Sequence, residues 1–184
     1  MGKEKDPMKL IIAQLGQPVL RQKVQPVPPE DIPTVEFQQL LDDMRQTLRE
    51  YRGAGLAGPQ VFTARRVFLA AILPPAREND PPEIEVFINP NILFRSTETA
   101  YSWEGCLSFV ELLVLVERSK TVRIEYLNEK AEPKALELSG FPARVVQHEY
   151  DHLEGILTLD RVPDNRYIVK ASEIEAFMEG EKKG

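Results

Sequence analysis

The chain has very few soft metal ligands: its 184 residues include one cysteine, Cys106, and two histidines, His148 and His152. A single cysteine excludes a disulfide within the chain. No apolar run approaches the ~18–20 residues of a membrane-spanning helix; Leu112–Val116, for example, is strand-sized. Met1–Pro7 is charged and polar and has no apolar stretch for a secretory signal. Asp6 stands where a myristoylation signal needs Ser or Thr. Positive charge is not in excess: 23 Lys+Arg against 29 Asp+Glu give a net charge of −6. No basic patch stands out, Lys182 and Lys183 being too few, which argues against nucleic acid as the main partner. Internal repeats and low-complexity segments are absent. The length suits one domain with its own core. A composition 42% hydrophobic and 28% charged reads as globular, not disordered.

Proline, by contrast, is plentiful at 15 residues. Pro18, Pro26, Pro28, Pro29 and Pro33 predict an extended, wrapping arm before residue 34, because proline fixes φ and removes a donor. Pro74, Pro75, Pro81 and Pro82 predict a surface loop. Phe37, Leu40, Leu41, Met44, Leu48 and Tyr51 recur at helical spacing and predict a helix over Thr34–Tyr51, ended by Gly53 and Gly55. Strands are predicted over Arg66–Leu73 and Glu85–Phe94. Leu112–Leu127 reads as a hairpin turning near Arg118–Lys120, and Lys134–Leu138 as one more short strand. A second helix is predicted over Phe141–Glu154, with Pro142 in its first turn and Gly155 at its end. A third, exposed helix is predicted over Asn165–Glu181. Strands grouped between helices imply an α+β fold with mostly antiparallel sheets around the second helix.

That helix carries His148-Glu149-Tyr150-Asp151-His152. Positions i and i+4 share a face, so both imidazoles reach one ion, and Glu149 lies near enough to touch a ligand of that ion. Two histidines leave a catalytic metal one protein ligand short. Cys106, in Glu104-Gly105-Cys106-Leu107-Ser108, is one candidate for the third; Glu173 on the last helix is the other. Gly53-Ala54-Gly55-Leu56-Ala57-Gly58-Pro59-Gln60 is a third notable stretch. It lacks the lysine of a phosphate-binding loop and follows no strand, which excludes a nucleotide site. Gln60 adds an amide that can donate to an oxyanion.

Together the three stretches resemble the peptide deformylases, which carry a Gly-x-Gly-x-Ala-Ala-x-Gln motif, a Glu-Gly-Cys-Leu-Ser motif and a Gln-His-Glu-x-Asp-His helix in that order. Here these are Gly53–Gln60, Glu104–Ser108 and Gln147–His152. The flanks Gly16–Arg21 and Ile88-Asn89-Pro90 agree, and the resemblance spans about residues 10–160. It implies a single catalytic domain over residues 1–184, with 1–9 flexible. It implies removal of the formyl group from the N-terminal formyl-methionine of newly made polypeptides. It also implies Fe2+, replaceable by Zn2+, Ni2+ or Co2+, held by Cys106, His148 and His152. Hydroxide generated at the metal would attack the formyl carbon, with Glu149 as general base. The Gln60 amide and the Leu107 backbone N–H would hold the oxyanion. Gly55 would pair with the extended peptide, and Ala54, Glu104, Phe141 and Val145 would line the methionine pocket. Gln147, Asp151 and Glu154 are further candidates to orient the ligands, or else simply helix surface. The implied partners are formyl-methionyl peptides emerging from the ribosome, in a bacterial cytoplasm or a matured organelle form, with no membrane involved.

The sequence departs from the family pattern at three places. Gly58 stands for the usual Ala, from which little effect is expected. Val110 and Leu113 replace the Pro and Arg that commonly follow the cysteine motif. An apolar strand edge there would favour hydrophobic peptides, an altered substrate or self-association; the plain alternative is a core strand. Two rival functions remain at this point. One is a zinc peptidase using His148, His152 and Glu173. The other is a non-catalytic descendant that binds peptide N-termini.

Overall fold

The structure, a computed structural model, describes residues 6–73 and 83–181. The proline loop expected at Pro74–Pro82 and the terminal Lys182 and Lys183 lie outside the described residues.

The N-terminal arm wraps the molecule as its prolines imply. It contains only single 3-10 turns at Pro18–Arg21 and Pro29–Asp31. Its backbone is tied along the way by amides donating to other elements: Met8 to Asp43 Oδ1, Leu10 to Thr47 Oγ1, Ala13 to the Gln60 carbonyl, Leu15 to the Ser108 carbonyl and Val24 to the Leu153 carbonyl. Helix α1 spans Val35–Tyr51. The Thr34 hydroxyl caps it by accepting from the Phe37 amide. Its buried stripe is Phe37, Leu41, Met44 and Leu48. Arg52, not a glycine, takes the left-handed position that stops it, at φ 52°.

Strands β1 (Gly55–Ala57), β2 (Val67–Leu73), β3 (Glu83–Arg95), β6 (Thr121–Leu127) and β7 (Pro133–Ser139) form an antiparallel sheet in the order β1-β2-β3-β6-β7. The two-residue period of β2 divides the core: Val67 and Leu69 pack with α1, Phe68 and Ala70 with helix α2 (Phe141–Leu153). A second sheet, in the order β4-β5-β8, is built from Thr99–Glu104, Leu112–Ser119 and Ile168–Lys170. The fold is therefore α+β with antiparallel sheets around α2, as expected.

Three elements differ from expectation. Leu112–Leu127 is no self-paired hairpin: β5 pairs with β4, and β6 pairs with β3. A long ribbon, 83–104 against 112–127, bends at Ser96–Glu98 and Lys120 from one sheet into the other. Its true turn is 105–111, which carries Cys106. The expected third helix is only Ile174–Glu181 (α3), because Ile168–Lys170 is drawn into the sheet beside Leu112–Val114. Sheet pairing overrides helical propensity there. The glycine stretch after α1 is not merely a helix stop, since Gly55–Ala57 forms a sheet edge and Gly58–Val61 a 3-10 turn.

Helix α2 ends in a left-handed Gly155 at φ 72°, with the Ile156 amide donating to the Asp151 carbonyl. A Cβ on Gly155 would sit 2.7 Å from the Arg21 carbonyl oxygen, so the arm closes directly over the helix end.

The surroundings of Gly58 argue against the small effect expected there. A Cβ on it would lie 2.7 Å from the Arg65 carbonyl oxygen and 3.1 Å from Thr63 Cγ2. Backbone must move to admit the methyl. Gly58→Ala should lower stability by about 1–3 kcal/mol, the usual cost of overpacking. A urea midpoint within error of the parent would show that the 63–65 segment yields freely.

Candidate active site

Two elements bring the metal-ligand candidates together. Helix α2 presents His148 and His152 one turn apart, their ring centroids 5.1 Å apart. The 105–111 turn between β4 and β5 lays Cys106 against them. The cysteine sulfur and one ring nitrogen of each histidine lie within 4.8 Å of one another. Cys106 Sγ is 3.4 Å from His152 Nε2. Ligands sharing one tetrahedral ion at about 2.0–2.3 Å stand about 3.3–3.6 Å apart, the spacing that Cys106 and His152 show. A thiol with two imidazoles is a borderline-soft donor set, suited to iron or zinc and unsuited to magnesium or calcium. Glu173 is not in this group; it is exposed, and its carboxylate accepts from Ser172 Oγ.

Glu149 is buried beside these ligands, and among the described residues its Oε2 has no hydrogen-bond partner. Such an oxygen needs a water or substrate proton. Burial pushes its carboxyl up to about 7. Burial also pushes His152 down, toward the neutral form that binds metals. His148 goes the other way: burial opposes its charge, but contacts with Cys106 and Glu104 outweigh that and raise it.

Gln60 is buried and locked in orientation. Its Oε1 accepts from the Ala57 amide at 2.8 Å, which turns Nε2 toward Ser108 Oγ at 3.2 Å and Cys106 Sγ at 3.5 Å. Leu107 follows Cys106 in the turn. Both border a cavity of 410 Å³ together with Ala54, Gly55, Glu104, Phe141, Val145, His148 and Glu149. Every residue expected to contact substrate thus lines one cavity.

Glu104 does more than line the wall. Both its oxygens are taken by the guanidinium of Arg118 at 3.0 Å, Oε1 also by Arg144 at 2.7 Å, and Oε2 lies 2.9 Å from His148 Nδ1. Burial disfavours its charge, but the bonds from His148 and Arg118 outweigh this and hold its carboxyl well below the usual range. Asp151 joins the same network by accepting from Arg118 and Arg161. Gln147 instead clamps the ribbon bend, bonding both the amide and the carbonyl of Ser119. Glu154 pairs with Lys23 and Arg66. Sequence reasoning missed Arg118, Arg144, Arg161 and Ser108.

Val110 and Leu113 both border the cavity. The apolar run beyond them is not a sheet edge, because β5 lies between β4 and β8. Val114 and Val116 are buried with Phe109 in a satellite core.

The family model for polypeptide deformylase matches residues 9–167. The chain belongs to that family. Peptide deformylase 2 of Nostoc sp. is 39% identical over 94% of this chain and 97% of its own length. The peptide deformylase of Thermotoga neapolitana is 42% identical over 84% of this chain and 88% of its own. Among solved structures, a Met-Ala-Ser-bound class I type b peptide deformylase from Acinetobacter baumannii superposes with a TM-score of 0.77. It has 39% identity and covers 84% of this chain and 99% of that one. The Thermotoga maritima peptide deformylase gives 0.76 at 38% identity, covering 85% of this chain and 99% of its own. The chain is accordingly an enzyme of the deformylase family, and the family depends on a metal. No helix among the described residues is long and apolar enough to cross a membrane.

Proposed function

We propose that this deformylase binds its metal through Cys106 Sγ, His148 and His152, and that Glu149 and Gln60 carry the proton and the oxyanion. Its reaction is the removal of the N-formyl group from new polypeptides. The observation that carries the site assignment is the convergence of the three ligand atoms beside an unpartnered, buried Glu149 oxygen. Fe2+ is the proposed native ion, with Zn2+, Ni2+ or Co2+ as substitutes. When bound, the ion polarises the formyl group and lowers the pKa of water in the site.

The chain's own residues do the rest. Glu149, with a carboxyl near neutrality, accepts a proton from the attacking water and returns it to the departing amine. Gln60 Nε2 is aimed beforehand at the oxygen that becomes negative, and the Leu107 amide is proposed as the second donor. Losing one such donor typically costs ~2.7–4 kcal/mol. Glu104, fixed by two arginines, orients His148 through Nδ1. The edge strand β1 offers Gly55 for pairing with the peptide backbone. Ala54, Phe141 and Val145 supply apolar wall for methionine, which Val110 and Leu113 extend. The proposed setting is one catalytic domain over the whole sequence, working in the cytoplasm on peptides emerging from the ribosome.

The test is formate release from formyl-Met-Ala-Ser by protein purified without oxygen and loaded with Fe2+ or Ni2+. Release should require metal and fall about 10²–10⁴-fold in Glu149→Ala. Co2+-loaded protein should show a thiolate charge-transfer band that Cys106→Ser abolishes. A band that survives this change would remove Cys106 from the ligand set.

A further inference from the structure

We propose that Arg52 selects substrates by reading a carboxylate on the peptide a few residues beyond formyl-methionine; the assignment rests on the deformylase reading above.

Arg52 is an odd choice on structural grounds. It ends α1 in the left-handed conformation, at φ 52° and ψ 35°. An ordinary L side chain is disfavoured there, whereas Gly or Asn is tolerated. Arg45, Arg66, Arg118, Arg144 and Arg161 each hold a carboxylate. Arg52 has no such partner among the described residues, yet it borders the cavity and is exposed. The other guanidinium at the cavity, that of Arg144, is taken by Glu104 and by the carbonyls of Val116 and Ala100.

Its place along the wall says what it meets. Tyr51 and Arg52 are exposed, Gly53–Gly55 half-buried and Leu56–Gln60 buried. The wall therefore descends from solvent at Arg52 to the chemistry at Gln60. A peptide added to the edge strand β1, with its formyl end at Cys106, must leave past Gly55 toward Arg52. Extended chain advances ~3.3 Å per residue, so side chains two or three positions after methionine come within the long reach of an arginine. A guanidinium matches a carboxylate through paired N–H donors. Glu111, the other charge at the cavity rim without a partner among the described residues, lies on the 105–111 turn and exerts the opposite preference.

The experiment uses metal-loaded enzyme and compares kcat/KM for formyl-Met-Ala-Glu-amide with that for formyl-Met-Ala-Gln-amide. A third peptide, formyl-Met-Ala-Gln with a free terminal carboxylate, separates a side-chain acid from a chain-end acid. The glutamate peptide should be favoured about three- to ten-fold at low salt, through KM, and less so at about 0.5 M salt as the charges are screened. Arg52→Asn suits the left-handed backbone, so it should fold normally and bring the ratio to one or below, Glu111 being left unopposed. Arg52→Lys should keep most of the preference, and Glu111→Gln should enlarge it. Equal rates on both amides by the parent enzyme, or a preference untouched by Arg52→Asn, would overturn the role of Arg52 while leaving the deformylase reading intact. Formate release from none of the three peptides would overturn both.

Discussion

Arg118→Met should destabilise the protein by about 3–5 kcal/mol, the cost of stripping the partner from a buried charge. Arg118 is 5% exposed and lies between two carboxylates that are themselves buried, Glu104 and Asp151. Its Nε and Nη2 form a fork on Glu104, and Nη1 reaches Asp151. Methionine fills much of the same volume but leaves two carboxylates facing each other without the cation between them. Arg144 and Arg161 remain, so part of the charge is still answered. The fork on Glu104 is not replaced, and with it goes the rigidity of the carboxylate at His148 Nδ1. Metal affinity should therefore fall together with stability. The checks are a urea midpoint at neutral pH, at unchanged slope, and the metal content after dialysis against a weak chelator. Arg118→Lys keeps the charge but cannot make the planar fork, so it should recover only part of both losses. A methionine variant within about 1 kcal/mol of the parent, with full metal content, would mean that Arg144 and Arg161 suffice.

Arg118 also shows where the sequence is and is not readable. Helix α1 is legible because it carries an apolar stripe at helical spacing, and helix α2 because Pro142 and Gly155 mark its two ends; both pack on the five-stranded sheet. The metal cluster is legible because scarcity concentrates the signal: with two histidines and one cysteine in the chain, the combinations are few. Arg118, by contrast, reads as part of a turn. The clue lies in the alternation Val114, Val116, Arg118, all three buried on one side of β5. An arginine continuing an inward apolar stripe requires a buried carboxylate. Glu104 can be named as that partner only once β4 is placed beside β5. Strand pairing over long separations is what one chain's pattern leaves open, and it is also why β5 and β6 read as one hairpin. The same gap hides β8, whose Ile168-Val169-Lys170 continues a helical pattern until β5 claims it as an edge.

Gly55→Ala should cost about as much activity as removing Glu149 itself, some 10²–10⁴-fold in formate release. Sequence reasoning values Gly55 for its backbone beside the peptide. The structure adds a second demand: a Cβ on Gly55 would stand 2.3 Å from Glu149 Oε1 and 2.6 Å from both Cδ and Cγ. A shift of the carboxylate tip alone cannot relieve this, because the whole outer side chain is in the way. Glu149 is buried, and the space open to it is the cavity it borders, away from its present line. The added methyl should therefore push the general base off its line while the three metal ligands stay in place, so metal content should match the parent. A double-mutant cycle separates the two demands. If the methyl acts only by displacing Glu149, then Gly55→Ala adds nothing in a Glu149→Ala background, because the clash has gone. If the backbone of Gly55 also pairs with the peptide, the double variant loses a further increment, and that increment appears in KM. Near-parental activity in the single variant would show that Glu149 can work from a displaced position, and the close packing of the glycine against it would then be a matter of folding alone.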